Sequence, residues 1–282
     1  MITALDHFVL ICPDLEAGAD AYSKLLGRSP DWLSVATDGA ATALFKLENT
    51  ALELIAPTGE GAVGDRLREL HSDSGPGLTS LAFASNDIET DHHLAGRRGL
   101  APSDIIAGDS VSAETGAKRV WKRFRCADEA CAGVKTFVIQ QVSGVVQSSE
   151  AEPGSVGGLD HIVIATPNPD RAVAHYGTRL GLDFRFDRTA EEWKTRFLFF
   201  RTGGLTFEVI HRLGQDNDPT GSDSIWGLTW LVKDIEGAHS RLSEGGFDVS
   251  DVRNGRKKGS RVFTVRDGTL DVPTLFIAHE PR

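Results

Sequence analysis

The chain carries one short pattern twice. Residues 5–16 read LDHFVLICPDLE, and residues 159–170 read LDHIVIATPNPD. The register does not drift afterwards: Tyr22, Leu26 and Gly27 fall on Tyr176, Leu180 and Gly181 at a constant offset of 154 residues. Later, LELI at 52–55 answers FEVI at 207–210. Such a repeat constrains the fold strongly, because each copy is one supersecondary unit that buries its apolar face against a neighbour. Each copy also sets a histidine in one strand-like run and a glutamate in another, His7 with Glu53 and His161 with Glu208. Imidazole and carboxylate recurring together are the raw material of a divalent-metal site.

Alternation over residues 5–11 predicts a strand with Leu5, His7, Val9 and Ile11 on one face and Asp6, Phe8 and Leu10 on the other. Pro13-Asp14 breaks it, and Leu15, Ala19, Tyr22 and Leu26 then carry helical spacing up to Gly27. Residues 43–47 and 51–56 read as a hairpin, with a further strand around 32–36. The second copy repeats this order: strand 159–165, helix from Pro169 to Leu180, then strands near 182–186, 196–201 and 205–211. A fainter repeat aligns LTSLAFASNDIE at 78–89 with IWGLTWLVKDIE at 225–236, each leading into a helix and later strands. Four modules follow, A, B, A′ and B′. The Ser- and Gly-rich stretch 143–158 reads as a linker, so the expected domains are 1–145 and 155–282.

The formal charge of −10 disfavours nucleic acid and anionic membrane, leaving a small molecule, possibly anionic, as the expected partner. No run approaches the ~20 apolar residues of a membrane span. Three cysteines and an N-terminus without a basic, then apolar, signal segment point to a reducing, cytoplasmic setting.

The LDH opening strand, the YxxxLG helix end and the LELI closing strand resemble the vicinal oxygen chelate superfamily. It includes glyoxalase I, extradiol dioxygenases and bleomycin-resistance proteins. The resemblance implies an α+β fold of four βαβββ modules paired into two cupped mixed sheets, with ligand bound in a cup. It also implies metal positions in the first and last strand of a module: His7, Glu53, His161 and Glu208. The implied cofactor is a divalent ion, zinc, manganese, iron or nickel, with Glu53 or Glu208 serving as a catalytic base. The matching positions in B and B′ are Ser80 and Gly227 early and Phe137 and Leu275 late, and of these only a serine carries a polar side chain. Three arrangements stay open: A facing A′ to unite four ligands, a partial site completed elsewhere, or His–Glu pairs that serve structure alone.

Residues 116–125, GAKRVWKRFR, and 255–263, GRKKGSRVF, are basic strands in an acidic chain. Arg119, Trp121 and Arg123 share a strand face and are candidates for an anionic substrate; a charged edge strand that discourages aggregation is the competing account. Trp32, Trp193, Trp226 and Trp230 are candidate wall or core residues. His92 and His239 read as surface helix residues, Cys12 as core, and His211 as facing away from Glu208. Two functions compete: a metal-dependent lyase or isomerase of a small oxygenated or thiol-conjugated compound, and a metal-free sequestering protein. An extradiol dioxygenase fits less well, since Gly227 stands where its second histidine belongs. Four modules suit a monomer as well as a homodimer.

Overall fold

The computed structural model describes residues 2–148, 154–215 and 218–280. Residues 149–153 of the 143–158 linker, and 216–217 of the loop that follows the A′ module, lie outside them. The first half contains β1 (Ile2–Ile11), α1 (Leu15–Leu26), β2 (Trp32–Val35), β3 (Ala40–Lys46), β4 (Ala51–Pro57), α2 (Ala62–Ser74), β5 (Gly77–Ser85), α3 (Ile88–Arg97), β6 (Ile106–Val111), β7 (Lys118–Arg125) and β8 (Lys135–Ser143). The second contains β9 (Val156–Ala165), α4 (Pro169–Ala172, continued by a π-helical stretch Val173–Arg179), β10 (Asp183–Ala190), β11 (Thr195–Thr202), β12 (Leu205–Arg212), β13 (Ser224–Val232), α5 (Ile235–Glu244), β14 (Arg253–Asn254), β15 (Ser260–Val265) and β16 (Thr274–His279).

Two eight-stranded sheets result, in the orders β2-β3-β4-β1-β5-β8-β7-β6 and β10-β11-β12-β9-β13-β16-β15-β14. In each, the first and last strands of a module pair in parallel and two modules join through antiparallel first strands. Module A therefore pairs with B and A′ with B′. The fold is α+β, made of two cupped mixed sheets.

One core unites the halves. Leu5, Phe8, Leu10, Leu54 and Phe83 of the first sheet pack with Ile162, Phe207, Val209 and Trp230 of the second. The Phe8 and Trp230 rings lie 6.0 Å apart, and Phe83 stacks on Phe207 at 5.7 Å. Arginines tie the ends: Arg241 donates to the carbonyls of Lys24 and Leu25 that close α1, and Arg179 donates to those of Arg98, Gly99 and Ala130. A cation on the free carbonyls of a helix C-terminus is favourable for both hydrogen bonding and dipole. With the apolar faces turned to this shared core, the other face of each sheet is left to form a cup.

Strict alternation fails in β1, and the failure matters. Leu5 pairs with Phe83 and His7 with Ala82, so two steps along β1 match one along β5. Asp6 is the extra residue of a β-bulge, which re-aims the side chains around it. Leu5 consequently joins Phe8 and Leu10 in the core rather than sharing a face with His7, and Asp6 turns with His7 into the cup. The same bulge recurs at Asp160, between the pairs Trp230–Leu159 and Thr229–His161.

Helix α2 was not evident from sequence. Its apolar stripe is narrow, chiefly Leu67 and Leu70, and these pack on Ile11, Ala40 and Ile55 at one end of the first cup.

Candidate functional site

Both bulges deliver the same triad. His161 Nδ1 lies 2.8 Å from Asp160 Oδ1, and His161 Nε2 lies 3.2 Å from Glu208 Oε2. In the first half His7 Nδ1 meets Asp6 at 2.7 Å and His7 Nε2 meets Glu53 at 3.4 Å. An ionised aspartate only accepts, so the Nδ1–H is the donor and Nε2 points into the cup. There His161 Nε2 takes the hydroxyl of Thr229 at 2.8 Å. Asp160 also accepts from His279 Nε2 on β16. Burial works against its charge, but the hydrogen bonds from His161 and His279 prevail and hold the carboxyl at about 2. Glu208 behaves oppositely: burial raises its pKa, with His161, Arg256 and Arg212 only partly offsetting this. A carboxyl pushed upward beside an oriented imidazole can carry a proton.

The two cups then diverge. In the first, Arg119 turns inward and donates to Glu53 at 3.4 Å and to the Ser110 hydroxyl at 3.2 Å. Its guanidinium lies over Trp32 at 5.5 Å and over Trp121 at 5.1 Å. Trp121 in turn lies across Gly108, where a Cβ would meet its indole nitrogen at 2.6 Å. Trp32, Leu44, Ala51 and Val146 close a small apolar cluster alongside. Burial works against the charged imidazole of His7, yet the hydrogen bond to Asp6 and the charge of Glu53 raise its pKa. Arg119 thus sits as a buried plug in an internally satisfied charge cluster. Arg123 stands over Phe137 at 5.3 Å.

The second cup is open. It holds a cavity of about 1320 Å³ with His161, Glu208 and Thr229 in its lining. Strand register explains the difference: Trp121 pairs with Gln141 on β8, while at the corresponding place Ser260 pairs with His279 on β16. A serine replaces an indole, and Val262 likewise stands where the first half has Arg123. Phe186, Phe197, Phe199, Trp193 and Trp226 supply aromatic wall, and Arg188, Arg212, Arg253, Arg256 and Lys257 supply positive charge.

The structure brings His7 to Glu53 and His161 to Glu208, but in separate sheets on faces turned from the shared core, so the four do not form one shared site. A catalytic divalent ion is commonly held by three protein ligands. Among the described residues no group of three or more His, Cys, Asp and Glu is arranged to hold one. In the open cup His161 and Glu208 are the strong donors brought side by side; Thr229 adds a hydroxyl, and Leu275 occupies the closing-strand position beside it. Asp160 faces the outer imidazole nitrogens and is used by them. The residues present do not suit a resident ion. Gly227, taken from sequence as the B′ ligand position, is corrected to Thr229, which lies directly across from His161. A Cβ at Gly227 would meet the Pro273 carbonyl at 2.8 Å, so close backbone approach accounts for that glycine. Ser80 likewise gives way to Ala82 opposite His7.

Sequence reasoning missed Asp160, Thr229 and His279 as members of the site. The aspartate was legible in principle, since LDH places it beside the histidine twice, but only the bulge turns both to one face. His211 hydrogen-bonds the Thr166 carbonyl, away from the cup, and Trp230 is fully buried in the core.

Comparison with known proteins agrees with this architecture. Residues 5–154 match the family model described as a glyoxalase-like domain, and residues 160–264 match that of the glyoxalase/bleomycin resistance protein/dioxygenase superfamily. An ethylmalonyl-CoA/methylmalonyl-CoA epimerase of Cereibacter sphaeroides is 40% identical over 100 residues, which cover 33% of this chain and 75% of that protein. Among solved structures, a mutant of 4-hydroxymandelate synthase from Streptomyces coelicolor superimposes with a TM-score of 0.70 at 13% identity, covering 99% of this chain and 93% of the other. A hypothetical protein from Staphylococcus aureus gives 0.63 at 11% identity, covering 99% and 100%. At such identities the structural likeness bears on fold alone.

Proposed function

The chain belongs to the glyoxalase/bleomycin resistance protein/dioxygenase superfamily, and on that premise we propose that its second cup isomerises a small carbonyl compound by moving a proton on the carbon beside the carbonyl. The observation that carries the reading is the floor of the open cavity. There Glu208, with its pKa raised by burial, sits 3.2 Å from an imidazole that Asp160 and His279 hold in one orientation. In its ionised form Glu208 takes the α-proton to leave a planar enolate, water in the open cavity protonates the other face to give the epimer, and Glu208 passes its proton to the hydroxide left behind. Arg212 and Arg256, whose charge is felt at Glu208, stabilise the enolate oxygen. Glu53 has no such part in this reading, because Arg119 neutralises it inside a packed cup.

Support for the reaction class comes from the epimerase of Cereibacter sphaeroides. The test follows deuterium entering the α-carbon of methylmalonyl-CoA and ethylmalonyl-CoA in heavy water by mass spectrometry. Exchange with the full chain, lost in Glu208→Gln and kept in Glu53→Gln, is the expected result. Exchange that survives Glu208→Gln, or is absent with and without added divalent metal, sinks the proposal.

One observation favours a second reading, a binding protein without turnover: among the described residues no group of three or more His, Cys, Asp and Glu is arranged to hold a metal ion. Saturable binding of these thioesters without any exchange is its signature.

A further inference from the structure

The duplicated hairpins at the ends of the two sheets treat their cations differently. In the first half, Lys118 pairs with Asp109 at 3.0 Å, Lys122 with Glu89 at 3.4 Å and Arg125 with Asp128 at 2.5 Å. In the second, Arg261 pairs with Glu236, but Arg253, Arg256 and Lys257 of the β14–β15 hairpin line the open cavity, and among the described residues no salt bridge joins these three to a carboxylate. This occurs in a chain of net charge −10, where acidic partners are plentiful.

Arg256 lies 3.9 Å over the Trp193 ring, and Arg188 lies 5.6 Å over the same indole. Two guanidiniums share one aromatic ring while a single carboxylate, Glu192, stands against Arg188 at 3.4 Å. Like charges brought this close need a counter-charge. The turn that holds them is built rather than loose: Gly255 N–H donates to the Ser260 carbonyl, and the Ser260 hydroxyl and N–H both donate to the Lys257 carbonyl. Trp226, 46% exposed, adds a second flat apolar surface at the same cavity.

We propose that this hairpin is a phosphate-binding lip. The ligand of the second cup presents a phosphate or diphosphate group to Arg253, Arg256 and Lys257 and rests a flat ring against Trp193 or Trp226, while its reacting end reaches Glu208. A lone carboxylate is satisfied by one bidentate arginine, whereas several cations on one turn suit a multiply charged group. The cavity, at about 1320 Å³, also exceeds the roughly 300–1,000 Å³ of common small-molecule pockets. It has room for a reacting acyl group together with a phosphorylated carrier. The proposal rests on reading this cup as the ligand site, and not on the proton transfer.

The test titrates the full chain with ADP, inorganic pyrophosphate and benzoate while following tryptophan fluorescence, with Trp193→Phe identifying the responding indole. ADP is expected to bind most tightly, pyrophosphate to bind without the ring-dependent quench, and benzoate to bind weakly. Added salt should weaken both phosphates. The double variant Arg256→Ala/Lys257→Ala should lose about tenfold in ADP affinity, the size of a charge-assisted hydrogen bond. Benzoate equal to ADP, ADP affinity unmoved by the double variant, or no binding of either phosphate overturns the lip. ADP binding that persists where no deuterium exchange occurs supports the lip and removes only the proton-transfer reading.

Discussion

Replacing Arg119 with methionine tests whether the first cup is plugged rather than vacant. The guanidinium touches two indoles, at 5.5 and 5.1 Å, and donates to Glu53 from a side chain only 10% exposed. Each cation–π contact contributes about 1 kcal/mol at a partly desolvated position. A hydrogen bond between charged groups adds about 1.5 to 3 kcal/mol, and its loss leaves Glu53 facing only His7. Methionine retains most of the apolar stem, so the loss falls on the charge and comes to about 3.5 to 5 kcal/mol, the range for breaking a buried ion pair. Urea denaturation followed by circular dichroism measures it. A double-mutant cycle with Glu53→Gln isolates the pair: the double variant should recover about 1 to 2 kcal/mol relative to Arg119→Met alone. The exposed Arg256→Ala in the other half should cost no more than about 1 kcal/mol, because it loses a stacking contact on Trp193 and a solvent-screened attraction to Glu208. If Arg119→Met costs under about 1 kcal/mol, or shows no coupling to Glu53, the internal plug is refuted.

Three further outcomes follow. His175 is 1% exposed and held at about 4 by burial and by the nearby Arg179 and Arg171 charges. Its folded pKa lies below the usual 6.5, so the unfolded chain takes the proton first. Stability is then complete above pH 6.5 and falls by about 3 kcal/mol toward pH 4. His175→Leu should flatten that part of the urea-midpoint profile, and an unchanged slope would remove His175 as its source. His279→Ala should cost about 1 to 2 kcal/mol by taking a donor from Asp160, whereas His279→Gln should cost much less, since Gln141 serves Asp6 in the first half; equal losses in denaturation would contradict a donor role. Thr229→His, directly across from His161, should create cobalt(II) binding visible by absorption, whereas Gly227→His should instead destabilise the fold by crowding Pro273; cobalt binding at the latter alone would show that the ligand positions are misassigned.

Much of the fold was legible because periodicity and repetition are properties of the chain itself. The strand, helix and hairpin of each A module followed from Leu5 to Gly27 and from residues 43–56, and the offset to the second copy supplied the rest. Module pairing was not legible, since any of the apolar strands can pair with another until register and helix placement decide. Nor was the bulge at Asp6 and Asp160: a single extra residue leaves the hydrophobic pattern intact yet reverses which face Leu5 takes. The basic strand 118–125 was recognised, but its strand-face grouping could not tell a ligand contact from a plug. That distinction depends on Trp32, from a different module, closing over Arg119.

The retained Asp–His–Glu pattern in both halves therefore has two separate physical explanations. In the first half, removing Glu53 would strand Arg119 between two indoles, and removing Arg119 would strand Glu53, so the motif holds itself in place by the cost of unpaired buried charge. In the second half no such plug is present among the described residues: Ser260 and Val262 leave the space open, and burial, with the nearby Asp160 charge, raises the Glu208 pKa. A carboxyl kept costly to ionise at the floor of an accessible cavity is destabilising unless it serves a ligand. Identity of motif is thus weak evidence for two active sites. What differs around it, an arginine and two indoles against a serine and three cations without a salt-bridge partner among the described residues, is the ground on which we propose chemistry for one cup and stability for the other.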